Sequence, residues 1–457
     1  MATHCITQIP FRLDPKKKPV VARFDQAYAS SDGGAILLKG IDTSLGLTKR
    51  LAAHFVDDRQ PGKVQHQALE LLRQRVFGIA CGDADCNDAA RLADDAIHKL
   101  LLDRDPLAGA RLASQPTLSR FENAVAGREL LRMGHEVAET VIEHQRRRRH
   151  GRATRITIDL DPTDDPTHGQ QELALFNGHY DTWCYLPLVA TLTFDAEAAQ
   201  YAVAAVLRPG NATASDGARG LLRRLIRRLR EAFRAPIIRV RLDGGFATPA
   251  MFAFLEAAQV EYVVGMPSNS RLEKRARRLL GKARMRSKAT GQTEHLYGDT
   301  LYAAKSWDHR RRVVIKAEVV RHPGRDPKNN PRFVVTNLPY APRTVYEQVY
   351  CQRGDVENRL KELHHGLEMD RTSCSSFLAN QFRVLLSLTA YVLFQELQRR
   401  ARGTACADAQ VTTLRERLIK LAVWVERSVR RIVLHLPATF PWLRTWRQIA
   451  CAVGATP

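Results

Sequence analysis

The 457 residues carry 70 Lys and Arg against 48 Asp and Glu, a formal net charge of +22 with an isoelectric point near 10.0, so the expected partner is a polyanion. No apolar run reads as long enough to span a membrane, no lipidation motif occurs, and the opening MATHCITQIPF lacks a secretory-signal pattern, which together point to an intracellular protein of two or three domains. Eight scattered cysteines, with Cys81 and Cys86 the only close pair, speak against a disulfide framework or a four-thiolate zinc site.

Residues 1–30 show little periodicity and contain Pro15-Lys16-Lys17-Lys18-Pro19, which reads either as a basic arm laid along a phosphate backbone or as a tail. From Ser31 to about Gln145 the pattern is helical, with stretches at Val64–Ala80, Asn87–Leu102 and Leu118–His144. Within it, Leu112–Asn123 resembles a recognition helix opening at Ser114 or Gln115, with Pro116 in the first turn and Thr117, Ser119 and Arg120 projecting outward. The run Arg146–Arg149 followed by His150-Gly151 marks a domain boundary.

The period then changes from 3.6 to 2. In Arg155–Asp161 the isoleucines and Leu160 face one way while Thr157, Asp159 and Asp161 face the other, and Pro162 ends the strand. Strands at about Trp183–Phe194 and Tyr201–Leu207 can pair antiparallel with it. Gly217–Arg234 is an amphipathic helix with leucines on one face and five arginines on the other. Next come a strand at Ile237–Asp243 ending in Asp243-Gly244-Gly245, a helix capped by Thr248 with Pro249 at its first position, and a strand at Val260–Gly265.

About ninety residues of different character follow. Arg271–Lys288 holds nine Lys or Arg, among them Lys274, Arg275 and Arg278, and one acid, Glu273; it reads as a DNA clamp or a solvated basic segment. The β-like stretches Glu294–Ala304, Arg312–Arg321 and Arg332–Leu338 complete a mostly β insertion, in which Trp307 either stacks on an unpaired base or packs inside. Val349–His365 is a charged helix whose Tyr350, Arg353 and Glu357 share a face, extended by Lys361 and His364. Apolar helices are expected at Phe377–Gln398 and Val411–Arg431.

This order of strands and helices resembles the ribonuclease-H-like fold, in which three acids from two strand ends and a late helix meet at one sheet edge. Asp161 or Asp159, Asp243 and Glu357 fall at those stations. Clustered carboxylates raise one another's pKa, so such a cluster implies bound cations, and hard oxygen donors favour Mg²⁺ or Mn²⁺. Two ions about 4 Å apart polarise a phosphodiester and activate the attacking water or 3′-hydroxyl. By motif the chain also resembles the DDE transposases of bacterial insertion sequences whose third acid lies in a Tyr-x2-Arg-x3-Glu-x6-Lys signature. Tyr350, Arg353 and Glu357 match; His364 stands where the lysine would be, with Lys361 as a substitute. Ile158–Glu172, Arg241–Phe246 and Arg353–Leu363 resemble the acid-bearing blocks of one subgroup.

The resemblance implies Asp161, Asp243 and Glu357 as metal ligands, Asp159 as the alternative first ligand, and Tyr350 and Arg353 at phosphates near the cut end. It implies a homodimer bound to double-stranded DNA, both terminal inverted repeats and target, in a bacterial cytoplasm. The domain plan expected is a helical DNA-binding region with a basic arm at 1–150, a first core segment at 151–266, the β insertion at 267–344, the Glu357 helix at 345–375 and a helical region at 376–457. The core would be a mixed five-stranded sheet. Alternatives are a related nuclease without strand transfer and an inactive or domesticated DNA-binding protein.

Overall fold

The change of period at Arg155 marks the start of a large mixed sheet in a computed structural model that describes residues 8–11, 13–14 and 18–456. Part of the lysine run, residues 15–17, lies outside the described residues. The chain divides into two units. One comprises Met1–Ser44, Asp57–Phe121 and Leu393–Pro457, the other Leu45–Val56 and Glu122–Val392.

In the second unit the sheet strands are β1 (Arg155–Pro162), β2 (Leu188–Phe194), β3 (Gln200–Val206), β4 (Ile237–Leu242), β5 (Glu261–Met266), β6 (Glu294–Tyr302), β7 (Arg311–Val320), β8 (Lys328–Asn329) and β9 (Arg332–Thr336). Their order is β6-β7-β9-β5-β4-β1-β2-β3, with β8 paired to β7. The strands β1, β4 and β5 run parallel, and every other pairing is antiparallel. Parallel central strands are covered on both faces, which is why β1 is buried from Ile156 to Asp161 although its sequence alternates.

Two expectations about the sheet change. The insertion forms no sheet of its own: β9 pairs antiparallel with β5 from Val263 opposite Thr336 to Met266 opposite Phe333, so the sheet has nine strands rather than five. The open edge of β5 offers its backbone groups to the next strand available. The segment read as one strand over Trp183–Phe194 is two, because Pro187 interrupts it; Thr182–Tyr185 belongs to a small sheet with Leu175–Asn177 and Asp165–Pro166.

The helices of this unit are α1 (Gly127–Arg148), α2 (Ala218–Ala232), α3 (Pro249–Ala257), α4 (Ser270–Thr290), α5 (residues 344–366) and the part of α6 (Phe377–Arg400) up to Val392. On α2, Leu221, Leu222, Leu225, Ile226 and Leu229 are buried and Arg223, Arg227 and Arg230 exposed, as the pattern predicts. The basic segment is the helix α4, capped by Asn269, whose side chain accepts from Leu272 N; Leu272, Ala276, Leu280 and Ala283 are its buried stripe. Helix α6 is long and apolar enough by length and composition to cross a membrane, contrary to the expectation from sequence, but 83% of its apolar window is buried in protein. Helix α1, expected in an N-terminal domain, belongs with the sheet unit.

The other unit holds helices Ile36–Leu45, Ala68–Cys81, Cys86–Arg91, Ala96–Leu101, Gln115–Asn123 and Leu443–Ala452, with a hairpin of Gln8–Phe11 and Val20–Arg23. The helix expected over Val411–Arg431 stops early: Val423–Arg427 is a strand, paired with Ile432–His435 and Ala29–Ser30. Val423 and Val425 point inward and Trp424 and Glu426 outward, a period of 2 that overrides the helical neighbours.

Candidate active site

Parallel pairing of β1 and β4 sets Asp159 opposite Arg241, so Asp161 and Asp243 follow two residues later at the same sheet end. The Arg241 guanidinium is almost fully buried. Its Nε and Nη2 donate to the two Asp159 carboxylate oxygens at 2.7 Å each, and Nη1 donates to the Val349 carbonyl at 3.1 Å and Gln352 Oε1 at 3.4 Å. One side chain therefore joins β1, β4 and α5.

Helix α5 is irregular. It is π-helical over Thr344–Tyr350, tightens to a 3₁₀ turn at Cys351–Gly354, is α-helical over Asp355–Lys361 and widens again at Glu362–Gly366. Such changes of pitch concentrate at functional sites because they re-aim side chains. Val345, Tyr346 and Val349 anchor its first turns in a core with Val263, Val314, Val334 and Leu338. Tyr391 Oη donates to Glu362 Oε2 at 2.7 Å and holds its last turn.

Gly265 on β5 makes room for this helix. A Cβ there would lie 2.6 Å from the Tyr350 hydroxyl and 2.9 Å from Gly244 N, so the glycine lets Tyr350 and the turn after Asp243 approach the sheet. That turn is pinned by Gly245 N donating to Asp243 Oδ1 at 2.9 Å.

Arg353 pairs with two of the acids, and Asp243 lies within electrostatic range of it. Its Nη1 lies 3.1 Å from Asp161 Oδ2 and its Nη2 3.8 Å from Glu357 Oε1. Burial pushes the Asp161 carboxyl up and Arg353 opposes this, but Asp243 and Glu357 add to the rise, to about 7. Burial disfavours the Arg353 cation, yet Asp161, Tyr350, Asp243 and Glu357 together hold it charged. The site thus has more negative charge than one arginine neutralises.

A family model described as transposase DDE domain group 1 matches residues 14–455. The chain belongs to that family. No match was found among curated proteins. Membership supports a transposase-type enzyme, of a family that generally uses divalent metal ions. Asp161, Asp243 and Glu357 fit such an ion chemically: all are hard oxygen donors, and the elevated Asp161 carboxyl marks charge that a cation would relieve. Their oxygens are spread around Arg353 rather than drawn together. Among the described residues only Asp32, Cys81 and His98 bring three metal-capable atoms within 4.8 Å of one another.

Asp159, the alternative first ligand, has both oxygens bound by Arg241 and none of its surface exposed. His364 does not present itself as a free phosphate contact. Its Nε2 is 3.5 Å from Thr163 Oγ1 and its Nδ1 3.6 Å from Asp370, and burial pulls its pKa down despite Asp370 and Asp164. Trp307 is packed at 8% exposure with Phe252, Tyr302 and the Arg311 guanidinium against it, so its ring faces protein rather than an open surface. Lys361 is exposed on α5, as are Lys274 and Arg278 on α4. Arg275 is exposed but tethered, donating to Thr300 Oγ1 at 2.6 Å and the Leu301 carbonyl at 3.0 Å. Arg120 is exposed on Gln115–Asn123 and donates to Thr117 Oγ1 at 3.3 Å.

Several site residues escaped sequence reasoning. Arg241 was legible in principle, as an arginine inside a buried strand needs an acid beside it. Asp165 is buried, accepts from Thr372 Oγ1 at 2.9 Å and is pushed by burial to about 8, with Asp370 and Asp164 adding to the rise. Tyr180 comes from the small sheet's connecting loop and is pushed up to about 12 by burial and by Asp164, Asp161 and Asp243. No local pattern announces Tyr180, which comes near Asp161 and Asp243 through long-range folding, whereas Asp165 lies four residues after Asp161 within Ile158–Glu172.

Proposed function

We propose that this chain is the transposase of an insertion sequence, binding the terminal inverted repeats and carrying out DNA cleavage and strand transfer by cut-and-paste. The observation that carries the reading is the convergence of Asp161, Asp243 and Glu357 on Arg353 at the end of three parallel strands. Numbered along the chain from β1, the first five strands lie in the order 3-2-1-4-5, which supports a ribonuclease-H-like core.

In this reading Asp161, Asp243 and Glu357 would hold Mg²⁺ or Mn²⁺, two ions as the family resemblance implies. Bound there, the metal supplies Lewis acidity at the phosphodiester and a nucleophilic oxygen at neutral pH. The remaining work belongs to the side chains. Once the acids are neutralised, Arg353 can turn its guanidinium from them to a phosphate oxygen, for which its planar donors suit it. Tyr350, held between Gly265 and Tyr346, offers its hydroxyl beside the same phosphate. Lys361 extends that contact along α5. The exposed cations of α4 hold the duplex electrostatically, and Arg120 on Gln115–Asn123 contacts the repeat.

The test is Glu357→Gln in the full chain, with a labelled element end and a plasmid target in Mg²⁺. DNA binding should persist while cleavage and transfer vanish; retained cleavage would remove Glu357 from the mechanism. Cleavage by the wild type with no joined product would favour a nuclease without strand transfer.

A further inference from the structure

We propose that Asp32, Cys81 and His98 form a binding site for a zinc-class divalent cation, distinct from the acid trio and independent of the transposase reading. Three segments build it. Asp32 precedes the turn Gly33–Ala35, Cys81 ends the helix Ala68–Cys81, and His98 lies in Ala96–Leu101. All three are buried, at 1%, 0% and 1% exposure, so solvent is not the partner for which they are arranged.

The geometry is close to that of a bound state. His98 Nε2 lies 3.0 Å from Asp32 Oδ2, and the Cys81, His98 and Asp32 donor atoms all fall within 4.8 Å of one another. In a tetrahedral zinc site, bonds of about 2.0 Å to nitrogen or oxygen and about 2.3 Å to sulfur put donor atoms roughly 3.3–3.7 Å apart. Small rotations therefore suffice. A thiolate, an imidazole and a carboxylate form a borderline-soft set that selects zinc over magnesium or calcium.

The surroundings suit a metal as well. Lys420 Nζ holds the other Asp32 oxygen, Oδ1, at 2.7 Å, the outer-shell contact that orients a ligating carboxylate and leaves Oδ2 to the centre. Gly82, at a φ of 101°, turns the chain so that Asp83 N reaches the Gly78 carbonyl at 2.8 Å. Asp83 then lies within electrostatic range of Asp32, His98 and Lys420, and its buried Oδ2 has no hydrogen-bond partner.

The rival arrangement is a knot of ion pairs around Asp32 with no metal.

The experiment uses the full-length chain purified without chelators, exposed to zinc, and passed through gel filtration before elemental analysis. About one zinc ion per chain should be retained. It should also be retained by the triple variant Asp161→Asn, Asp243→Asn, Glu357→Gln, which removes the acid trio as its source. Cobalt in place of zinc should give the thiolate-to-metal charge-transfer absorption of a sulfur ligand in the wild type. Cys81→Ser should abolish that band, and Lys420→Met should weaken binding by roughly 10–100-fold. A folded wild type that retains no zinc and shows no thiolate–cobalt band overturns the proposal and leaves the ion-pair knot. Should Cys81→Ser fail to fold, the wild-type cobalt spectrum alone decides.

Discussion

Asp159 and Asp161 stand on one face of one strand, so a pair of asparagine substitutions separates a carboxylate that holds the fold from one proposed to serve the chemistry. Asp159→Asn leaves the Arg241 guanidinium, 4% exposed, without the anion that accepts two of its donors at 2.7 Å. Removing one partner of a buried pair costs about 3–5 kcal/mol, which lowers the melting temperature by roughly 6–20 °C in a unit of this size. Asp161→Asn should act with the opposite sign. Its folded pKa is about 7 against an ordinary 3.8, so the unfolded chain loses this proton first and the fold is penalised as pH rises between those values. Roughly three units at 1.36 kcal/mol each make the penalty on the order of 4 kcal/mol above neutrality. Asparagine escapes it, although Arg353 loses a partner. Calorimetric melts in chelator at about pH 5 and pH 8, beside a cleavage assay in Mg²⁺, read both effects. The expected result is a low-melting Asp159→Asn at both pH values. Asp161→Asn should melt at or above the wild type near pH 8, gain less near pH 5, and cut nothing. An Asp159→Asn variant that melts with the wild type, or an Asp161→Asn variant that melts well below it near pH 8, refutes the division of roles.

Further outcomes follow from single residues. Gly265→Ala puts a methyl 2.6 Å from the Tyr350 hydroxyl and should cost about 1–3 kcal/mol in a melt, with cleavage reduced further than that loss of fold explains. Lys274→Glu with Arg278→Glu should weaken DNA binding to all sequences alike and flatten the slope of log affinity against log salt by about one for each phosphate no longer neutralised, read by fluorescence anisotropy. An unchanged slope would take α4 out of the DNA interface. Trp307→Ala should cost about 3–5 kcal/mol of stability, as a large core truncation does, with no specific loss of DNA affinity in the folded fraction; a selective affinity loss would restore the base-stacking role.

The parts of the fold that were legible are those whose side chains repeat with the backbone. The leucine stripe of α2, the alternation of β1 and the Thr248-Pro249 start of α3 each announce their element because burial on one face selects them. Local signals do not say which strand edge a later strand will join. Nothing in Arg332–Thr336 marks β5 as its neighbour, so the sequence does not show that the inserted strands extend the core sheet. The strand at Val423–Arg427 shows the same limit from the other side, since five alternating residues were outweighed by the helical pattern around them.

The site divides along a similar line. Asp161, Asp243 and Glu357 stood out because each ends a strand or shares a helix face with Tyr350 and Arg353, relations within about seven residues. What makes them converge is not local. Arg241 reaches Asp159 across a strand pair and Val349 across more than a hundred residues, and Gly265 clears the space for Tyr350 from a strand far from either. Only the register distinguishes Asp159 from Asp161, since both face the same way on β1 and carry the same chemistry. Opposite Asp159 the neighbouring strand supplies an arginine, and two residues later it supplies Asp243. Asp159 has a buried cation on both oxygens, whereas Asp161 shares Arg353 with two further carboxylates and is left with an excess of charge that, in the proposed function, a metal ion would relieve.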